Sequence, residues 1–414
     1  MVTLKKNILG ALGSAVFLCV FLGAHAQAAP TSAVRFGSSL TLLVPSGHTS
    51  ENLLYPLELS PTGEYVAGTL DVNNNIGDAI EVPILYLWDT QIQANQVGIE
   101  QRLPIATLTL SKPTTYVHAA LAFSSVSQEI AVWDRAALRI LALPDLQEQR
   151  AIEVVWPYLS HTLVWSKDGT RLVGLGGDLR LENEKQTLIV WNLTTGDVRT
   201  YSLEASYYKI VDWEEEWLFT TASGEQHPNL FAVCNSALTQ CTPYAYPGRV
   251  YAIARSEQII ITTRIDNRGR QITGLWTRRD DGAFLLDERI LSELDSLHQY
   301  SKTLSPEGKF LVSNNAVWRL SPPEVVQQLE GAQWSPTWLD EEHFVTRAYD
   351  EEGNLVIYLY RVGEENPLDV LTVEKSAVDD FIAGESLRLT SSADGRWLLF
   401  NLGHGALLIP VVHE

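Results

Sequence analysis

The sequence predicts an all-β fold, a single β-propeller in which eight four-stranded sheets surround a ring. Two observations support this prediction. One strand–turn–strand pattern recurs eight times, and after the N-terminal segment almost no stretch has the apolar spacing of an α-helix. The exception is Asp287–Ser296, which is either a short helix or a loop between blades. Seven blades are the alternative to eight, because the intervals between copies vary.

The clearest copy of the repeat is Thr162–Leu203. Its first strand ends at Trp165, the turn Ser166–Gly169 reverses the chain, and a second strand follows over Arg171–Leu175. A polar excursion leads to a third strand, Leu188–Trp191, and a Thr-Thr-Gly-Asp turn then leads to a fourth. Turns of Ser, Asp and Gly between runs of β-branched and aromatic residues are typical of antiparallel strands.

The first two strands of this unit recur through the chain. The eight copies lie at 57–70, 121–133, 163–175, 210–222, 251–264, 302–314, 333–348 and 387–401. Equivalent residues are separated by between 34 positions (Phe310 to Phe344) and 65 (Tyr65 to Ile130), around the roughly 40–50 expected of propeller blades. One such sheet buries its two faces only against neighbouring sheets, so the repeats predict a ring.

The ends of the chain predict how the ring closes. The last unit has three strands, Leu387–Thr390, Arg396–Leu402 and Ala406–Val412. Near the N-terminus, Ser39–Val44 forms an apolar strand outside the eight units. We expect residues 39–44 to pair with the C-terminal blade as its fourth strand and to lock the ring.

Tryptophans occupy equivalent positions in the repeats. They occur in or near first strands (Trp165, Trp213, Trp334), in second strands (Trp133, Trp217, Trp397) and in third strands (Trp88, Trp191, Trp276, Trp318). Large rings at repeated positions are expected to fill the wedge between neighbouring sheets. A sugar-binding platform is the alternative.

Residues 1–28 are predicted to be a signal peptide. Lys5-Lys6 precede an apolar core over Ile8–Gly23, and small residues then provide cleavage sites after Ala26 and Ala28. We favour cleavage after Ala28. An uncleaved membrane anchor is the other interpretation, for which the apolar run is short.

The remaining domain, residues 29–414, is predicted to be exported to the periplasm or the extracellular space. The full sequence has a net charge of −20, and loss of Lys5 and Lys6 makes it −22 (−20 − 2). This charge argues against nucleic acid and anionic membranes as partners, because both attract cationic surfaces. No later run is long and apolar enough for stable membrane insertion after cleavage.

Cys234 and Cys241 remain after signal cleavage. Their spacing suits a hairpin between two strands, and an oxidising compartment favours a disulfide, worth roughly 2–3 kcal/mol by loop closure. A two-ligand metal site is the alternative, with His227 as the one histidine nearby in sequence.

Several units resemble the repeats of bacterial TolB-like and WD-repeat-like β-propellers. The matching segments are 164–173 (VWSKDGTRLV), 304–312 (LSPEGKFLV), 333–336 (QWSP) and 350–360 (DEEGNLVIYLY). Only two Trp-Asp dipeptides occur, Trp88-Asp89 and Trp133-Asp134, so the TolB-like repeat is the closer resemblance. The resemblance implies a protein-interaction scaffold or, less often, the substrate-gating domain of a hydrolase.

No catalytic motif is recognisable in residues 29–414. The G-x-S-x-G, H-E-x-x-H, P-loop and EF-hand patterns are missing from the sequence. The histidines lack the spacing of metal ligands; they are His48, His118, His161, His227, His298, His343, His404 and His413. We therefore predict no catalytic, cofactor or metal residues, and a non-enzymatic scaffold that binds a partner protein or ligand through loops on one face. The alternative is a propeller enzyme, hydrolase or lyase, with a site at the mouth of the central channel.

Four local features fall outside the repeat pattern. The run from Trp213 to Trp217 holds three glutamates, which either bind a cation or form a solvated hairpin turn. Asp71–Asp78 suits either Ca²⁺ or ordinary turns. Asn192–Thr194 matches a glycosylation sequon, but no modification is predicted. The insertion Gly176–Lys185 is where we expect functional residues, because the repeated residues build the ring.

Overall fold

The computed structural model describes residues 34–413 with internal gaps. The gaps are at 38, 44–52, 72–83, 92–99, 111–118, 135–136, 154–158, 177–186, 203–206, 214–215, 222–228, 236–237, 239, 246–248, 255, 257–258, 266–267, 269–270, 290–301, 314–315, 330–333, 376–388 and 403–404. The described residues form strands and turns and contain no α-helix.

Seven four-stranded sheets and one larger sheet form eight blades in a ring, a β-propeller. Blade 1 contains β3 (Leu53–Leu59), β4 (Tyr65–Asp71), β5 (Ile84–Asp89) and β7 (Ala106–Thr109); blade 2, β8 (Ala120–Phe123), β9 (Glu129–Trp133), β10 (Ala137–Ala142) and β11 (Gln147–Glu153); blade 3, β12 (Leu159–Trp165), β13 (Arg171–Gly176), β14 (Thr187–Asn192) and β15 (Val198–Ser202); blade 4, β16 (Tyr207–Trp213), β17 (Glu216–Thr221), β18 (Asn229–Asn235) and β19 (Cys241–Ala245).

The second half of the chain repeats this order. Blade 5 contains β20 (Arg249–Ile253), β21 (Ile259–Ile265), β22 (Gln271–Arg278) and β23 (Phe284–Arg289); blade 6, β24 (Lys302–Leu304), β25 (Phe310–Ser313), β26 (Ala316–Leu320) and β27 (Pro323–Gln328); blade 7, β28 (Trp334–Trp338), β29 (His343–Tyr349), β30 (Leu355–Arg361) and β31 (Asp369–Val373); blade 8 includes β32 (Leu389–Ser391), β33 (Trp397–Asn401) and β34 (Gly405–His413). The prediction of eight blades is confirmed, and the alternative of seven is wrong.

Blade 8 takes further strands from the N-terminal part of the chain. β2 (Leu40–Leu43) pairs antiparallel with β34, with Leu40 opposite Leu408. β1 (Val34–Phe36) extends that pairing towards His413, and β6 (Glu100–Arg102) adds a parallel strand outside β2. The strand predicted at 39–44 thus pairs with the C-terminal blade. That this pairing locks the ring stays a prediction.

The short helix that was one alternative for Asp287–Ser296 is wrong for its first three residues. Residues 287–289 end the strand β23, whose partners lie on β22, so they are not helical. Ladder hydrogen bonds to a long neighbouring strand outweigh the weak helical spacing of this short segment. Residues 290–296 lie outside the described part of the chain.

The repeated Ser-x-x-Gly turn has the same hydrogen bonds wherever it recurs. The hydroxyl oxygen of the serine accepts the N–H of the residue five positions later, at 2.9–3.0 Å, in Ser60, Ser166, Ser305 and Ser392. The N–H of the glycine donates to the carbonyl oxygen of the same serine. These glycines have φ between 69° and 78°, which side chains with a Cβ adopt only at a cost. The Ser-x-x-Gly pattern therefore has a local structural explanation.

The tryptophan side chains that the structure describes are buried between blades, except for the half-buried Trp397. Trp133 and Trp191 meet edge to face, with 5.0 Å between ring centroids. The indole N–H of Trp165 donates to the Ala122 carbonyl oxygen (2.9 Å), which lies on the first strand of the preceding blade. These contacts favour inter-blade packing over a sugar-binding platform.

Cys234 and Cys241 form a disulfide. They are directly opposite each other on β18 and β19, so the bond joins the two strands of one hairpin. Cys234 is buried with Trp217 and Leu238 in the cluster between blades 3 and 4, which gives the bridge a structural role.

Candidate functional site

The ring has two faces of different character. Because antiparallel neighbours alternate in direction, the first-to-second and third-to-fourth connections of every blade leave at one end, which we call the turn face. The second-to-third connections and the connections between blades leave at the other end, which we call the loop face. Five of the six longest connections belong to the loop face, at residues 72–83, 110–119, 177–186, 290–301 and 374–388. The sixth, residues 90–105, carries β6 and belongs to the turn face.

Carboxylates on the turn face complete the turns. Asp168 accepts hydrogen bonds from the Ser166 hydroxyl (2.5 Å) and from the N–H of Thr170 (2.9 Å). Burial acts to raise the pKa of Asp168, but these hydrogen bonds outweigh it, and the pKa is lowered. In blade 8, Asp394 accepts the Ser392 hydroxyl in the same way. These aspartates are therefore occupied by turn formation.

The corresponding turn of blade 6 uses a carboxylate from its neighbour. Glu307 stands at the position of the turn aspartate, yet it is Glu341 of blade 7 that accepts the hydroxyl of Ser305 (2.6 Å). Glu341 also accepts the N–H of Glu307 (2.7 Å) and that of Lys309 (3.2 Å). This side chain links two blades, a role that its place in the acidic run 340–342 does not reveal.

A histidine and an aspartate pair at the turn of blade 7. The ring nitrogen Nδ1 of His343 lies 2.9 Å from a carboxylate oxygen of Asp340, and the N–H of His343 also donates to that carboxylate. Burial acts to raise the pKa of Asp340, but the bonds from His343 and Glu342 outweigh it and lower the pKa. The ring of His413 lies 6.2 Å from that of His343.

The loop face presents fewer described side chains. Asp134 begins the second-to-third connection of blade 2 and is buried; it accepts the N–H of Ala137 (3.0 Å) and Nε–H of Arg139 (3.2 Å). Asp350 accepts two bonds from Asn354, at 2.7 and 3.0 Å. Tyr349 at the end of β29 is 49% exposed, so an aromatic side chain is available to a partner on this face.

Two of the four local features singled out in the sequence consist mainly of described residues, and these residues have structural contacts. Trp213 pairs with Glu216 across the β16–β17 hairpin, and Glu216 forms an ion pair with Arg278 of blade 5. Asn192 accepts the N–H groups of Thr194 and Thr195, both at 3.0 Å, as a turn residue.

Two predicted features lie almost wholly in the gaps. Of the candidate calcium segment, only Asp71 is described, as the last residue of β4; of the insertion 176–185, only Gly176 is described, as the last residue of β13. Within the described ranges, no three His, Cys, Asp or Glu side chains are grouped to hold a metal ion. Among histidine side chains, those of His343 and His413 are described.

Arg347 is a buried charge that sequence reasoning missed. It lies on β29 with 4% of its surface exposed, and its guanidinium carbon is 5.8 Å from the centre of the Phe400 ring on blade 8. Burial lowers its pKa. The signal was available, because Arg347 places a permanent charge inside the second strand HFVTRAY, near the apolar Phe-Val pair and Ala348.

Comparison with known proteins bears on the fold. No family model and no curated protein matches the sequence. The structure is similar to the WD40 domain of Pan2 from Neurospora crassa, with a TM-score of 0.51, 9% identity, and coverage of 92% of this chain and 97% of that chain. It is also similar to the Dos1 propeller, with a TM-score of 0.56, 12% identity, and coverage of 91% and 95%.

The chain has a β-propeller fold similar to that of the WD40 domain of Pan2. At these identities the likeness concerns the fold alone. The WD-repeat-like part of the resemblance seen in the sequence is confirmed at that level, and its TolB-like part stays a prediction. In the part of the chain that is described, no helix has the length and hydropathy to cross a membrane.

Proposed function

We propose that this protein is an exported, non-enzymatic scaffold that binds another protein through its loop face, and that its repeats are of the TolB-like kind. The observation that carries the proposal is the division of labour between the faces. On the turn face, the repeated Ser, Asp and Gly residues are occupied by their own turns or by the next blade. The long connections that do not repeat belong mainly to the loop face, where they are free to differ in sequence.

The fold and the charge are compatible with this role. A rigid ring that presents variable loops suits protein recognition, although a fold by itself does not specify a function. The net charge of −20 disfavours nucleic acid as a partner. The competing hypothesis, an enzyme with a site at the channel mouth, requires titratable groups that converge there.

A pair of photo-crosslinking positions tests the proposal. A crosslinking amino acid at Tyr349 samples the loop face, and one at Val126, 60% exposed, samples the turn face. In the native compartment we expect a discrete protein adduct from Tyr349 and none from Val126. Adducts from Val126 alone would place the partner on the turn face and contradict the proposal. Turnover of a glycan or ester panel with no adduct from either position would favour the enzyme.

Export is tested separately by the N-terminal sequence of the protein recovered outside the cytoplasm. We expect it to begin at Ala29, with Gln27 as the alternative cleavage product, because these residues follow the two small-residue cleavage sites. Recovery of the chain with residues 1–28 intact would contradict the signal peptide. A Leu18→Arg change in the apolar core provides the control, since it is expected to block processing.

A further inference from the structure

Two histidine side chains from different blades lie close together on the turn face. His343 begins β29 in blade 7, and His413 ends β34 in blade 8, far from it in sequence. Their ring centroids are 6.2 Å apart, and the rings are almost perpendicular, at 89°. The fold therefore brings together two imidazoles that their sequence spacing does not associate, which is why the sequence predicted no metal residues among the histidines.

The ring of His343 is oriented by a carboxylate. Its Nδ1 atom lies 3.0 and 2.9 Å from the two carboxylate oxygens of Asp340. An ionised carboxylate only accepts hydrogen bonds, so Nδ1 carries the proton and donates it. In the neutral imidazole the lone pair then belongs to the other ring nitrogen, Nε2. The pair of Asp340 and His343 thus has the arrangement in which a carboxylate orients a histidine that binds a metal through its other nitrogen.

Asp340 is itself held in place. Its Oδ1 atom accepts the N–H of Glu342 (2.7 Å) and the N–H of His343 (2.8 Å). The side chain of His343 is 13% exposed, so burial also restricts its ring. A histidine that is already oriented loses little conformational freedom when it binds a metal. These bonds alone are those of an ordinary turn, and the second imidazole distinguishes this turn from the others.

The separation of the two rings fits two ligands of one metal ion. A metal ion lies about 2.0–2.1 Å from an imidazole nitrogen and thus about 3.2 Å from the centre of that ring. Two imidazoles that share a metal ion therefore have centres no more than about 6.4 Å apart, and the observed 6.2 Å lies within that limit. His413 is exposed, and exposed side chains change rotamer rapidly, so its ring can direct a nitrogen at the ion.

The ligand type selects the class of metal. Imidazole suits Zn²⁺, Cu²⁺ and Ni²⁺, whereas Ca²⁺ and Mg²⁺ require oxygen ligands. Among the described residues, no group of three His, Cys, Asp or Glu side chains is placed to hold a metal ion, so water fills the positions that the two imidazoles leave. The net charge of −20 attracts cations to the protein.

We propose that His343 and His413 bind a divalent transition-metal ion on the turn face, with Asp340 as the positioning residue of His343 and water in the remaining coordination positions. The ion joins the second strand of blade 7 to the last strand of blade 8. It does so beside the N-terminal strand, because His413 is opposite Val34 of β1. An ion that binds the folded chain through residues far apart in sequence stabilises the fold.

Copper binding to the protein without an affinity tag tests the site directly. Cu²⁺ is the probe, because it binds most tightly in the divalent series, and electron paramagnetic resonance counts the nitrogens coupled to it. We expect two coupled nitrogens in the wild-type protein, and one with weaker binding in His413→Ala. Val412→Ala, at the neighbouring exposed position, is the control and is expected to bind as the wild type does. No copper signal from the wild type, or equal signals from the wild type and His413→Ala, would overturn the proposal.

Asp340→Asn tests the positioning role in samples whose circular dichroism shows a folded ring. Loss of a carboxylate that orients a ligand costs about 10–100-fold in metal affinity. We expect that loss of Cu²⁺ affinity with two nitrogens still coupled, a result that a turn residue without a metal would not give. An affinity equal to that of the wild type would contradict the role of Asp340.

Thermal unfolding with Zn²⁺ gives an independent readout. The ion is expected to raise the melting temperature of the wild-type protein and of Val412→Ala, because it binds the folded state. His413→Ala is expected to show no such rise. An equal rise in the wild type and His413→Ala would place Zn²⁺ elsewhere and contradict the site.

Discussion

Removal of residues 29–46 is expected to lower the free energy of unfolding by at least about 3–6 kcal/mol. Two buried side chains, Val34 and Leu42, are lost, and fully burying such a side chain contributes about 1.5–3 kcal/mol. The deletion also exposes the edge of β34 along the whole length that β1 and β2 cover. Because natural domains have a net stability of about 5–15 kcal/mol, the shortened ring should melt far below the intact one. Thermal unfolding followed by circular dichroism measures the difference.

A shorter deletion is the control for this experiment. Removing residues 29–33 alone leaves β1, β2 and their pairing with β34 intact, and the melting temperature is expected to stay the same. Unchanged melting after removal of 29–46 would show that the N-terminal strand does not lock the ring. If both deletions lowered the melting temperature equally, the stabilising contacts would belong to residues before Val34 and not to β1 and β2.

Gly395→Ala is expected to destabilise the protein by about 2–5 kcal/mol. Gly395 has φ +71°, and an L-residue with that backbone loses about 1–2 kcal/mol. A Cβ at this position would also overlap the carbonyl group of Leu339 in blade 7, lying 2.9 Å from its carbon atom. Because the clashing group belongs to the backbone, the clash is relieved only if the two blades move apart. Overpacking of this kind costs about 1–3 kcal/mol more. Denaturant unfolding measures the loss.

Alanine substitutions at two other turn glycines distinguish the cost of the positive φ from the cost of the Cβ clash. Gly196 has φ +79° and nothing within 4 Å of an added Cβ, so Gly196→Ala is expected to cost only about 1–2 kcal/mol. At Gly169 the Cβ would meet the side chain of Val126, which is exposed and free to turn away, so the loss there should be intermediate. Equal losses at all three positions would show that the contact between blades 7 and 8 adds nothing.

The repeat architecture was predictable from the sequence because its causes are local. Runs such as Leu188–Trp191 specify strands through β-branched and aromatic residues, and Ser166–Gly169 specifies a turn through φ and side-chain hydrogen bonds. The disulfide was predictable for the same reason, since Cys234 and Cys241 are hairpin neighbours. The count of eight blades follows from counting local units. Local patterns did not predict binding-site residues, because packing and turn formation already explain the repeated residues.

The features that tie the ring together depend on contacts between residues distant in sequence. Glu341 completes the turn of blade 6 from blade 7, and the N–H of Phe36 bonds to the carboxylate of Asp369 at 2.8 Å, a pairing across almost the whole chain. Periodicity and turn chemistry act over a few residues, so the sequence by itself determined the blades. Only the tertiary structure decided how they meet, because each seam depends on side chains of two blades packing at once.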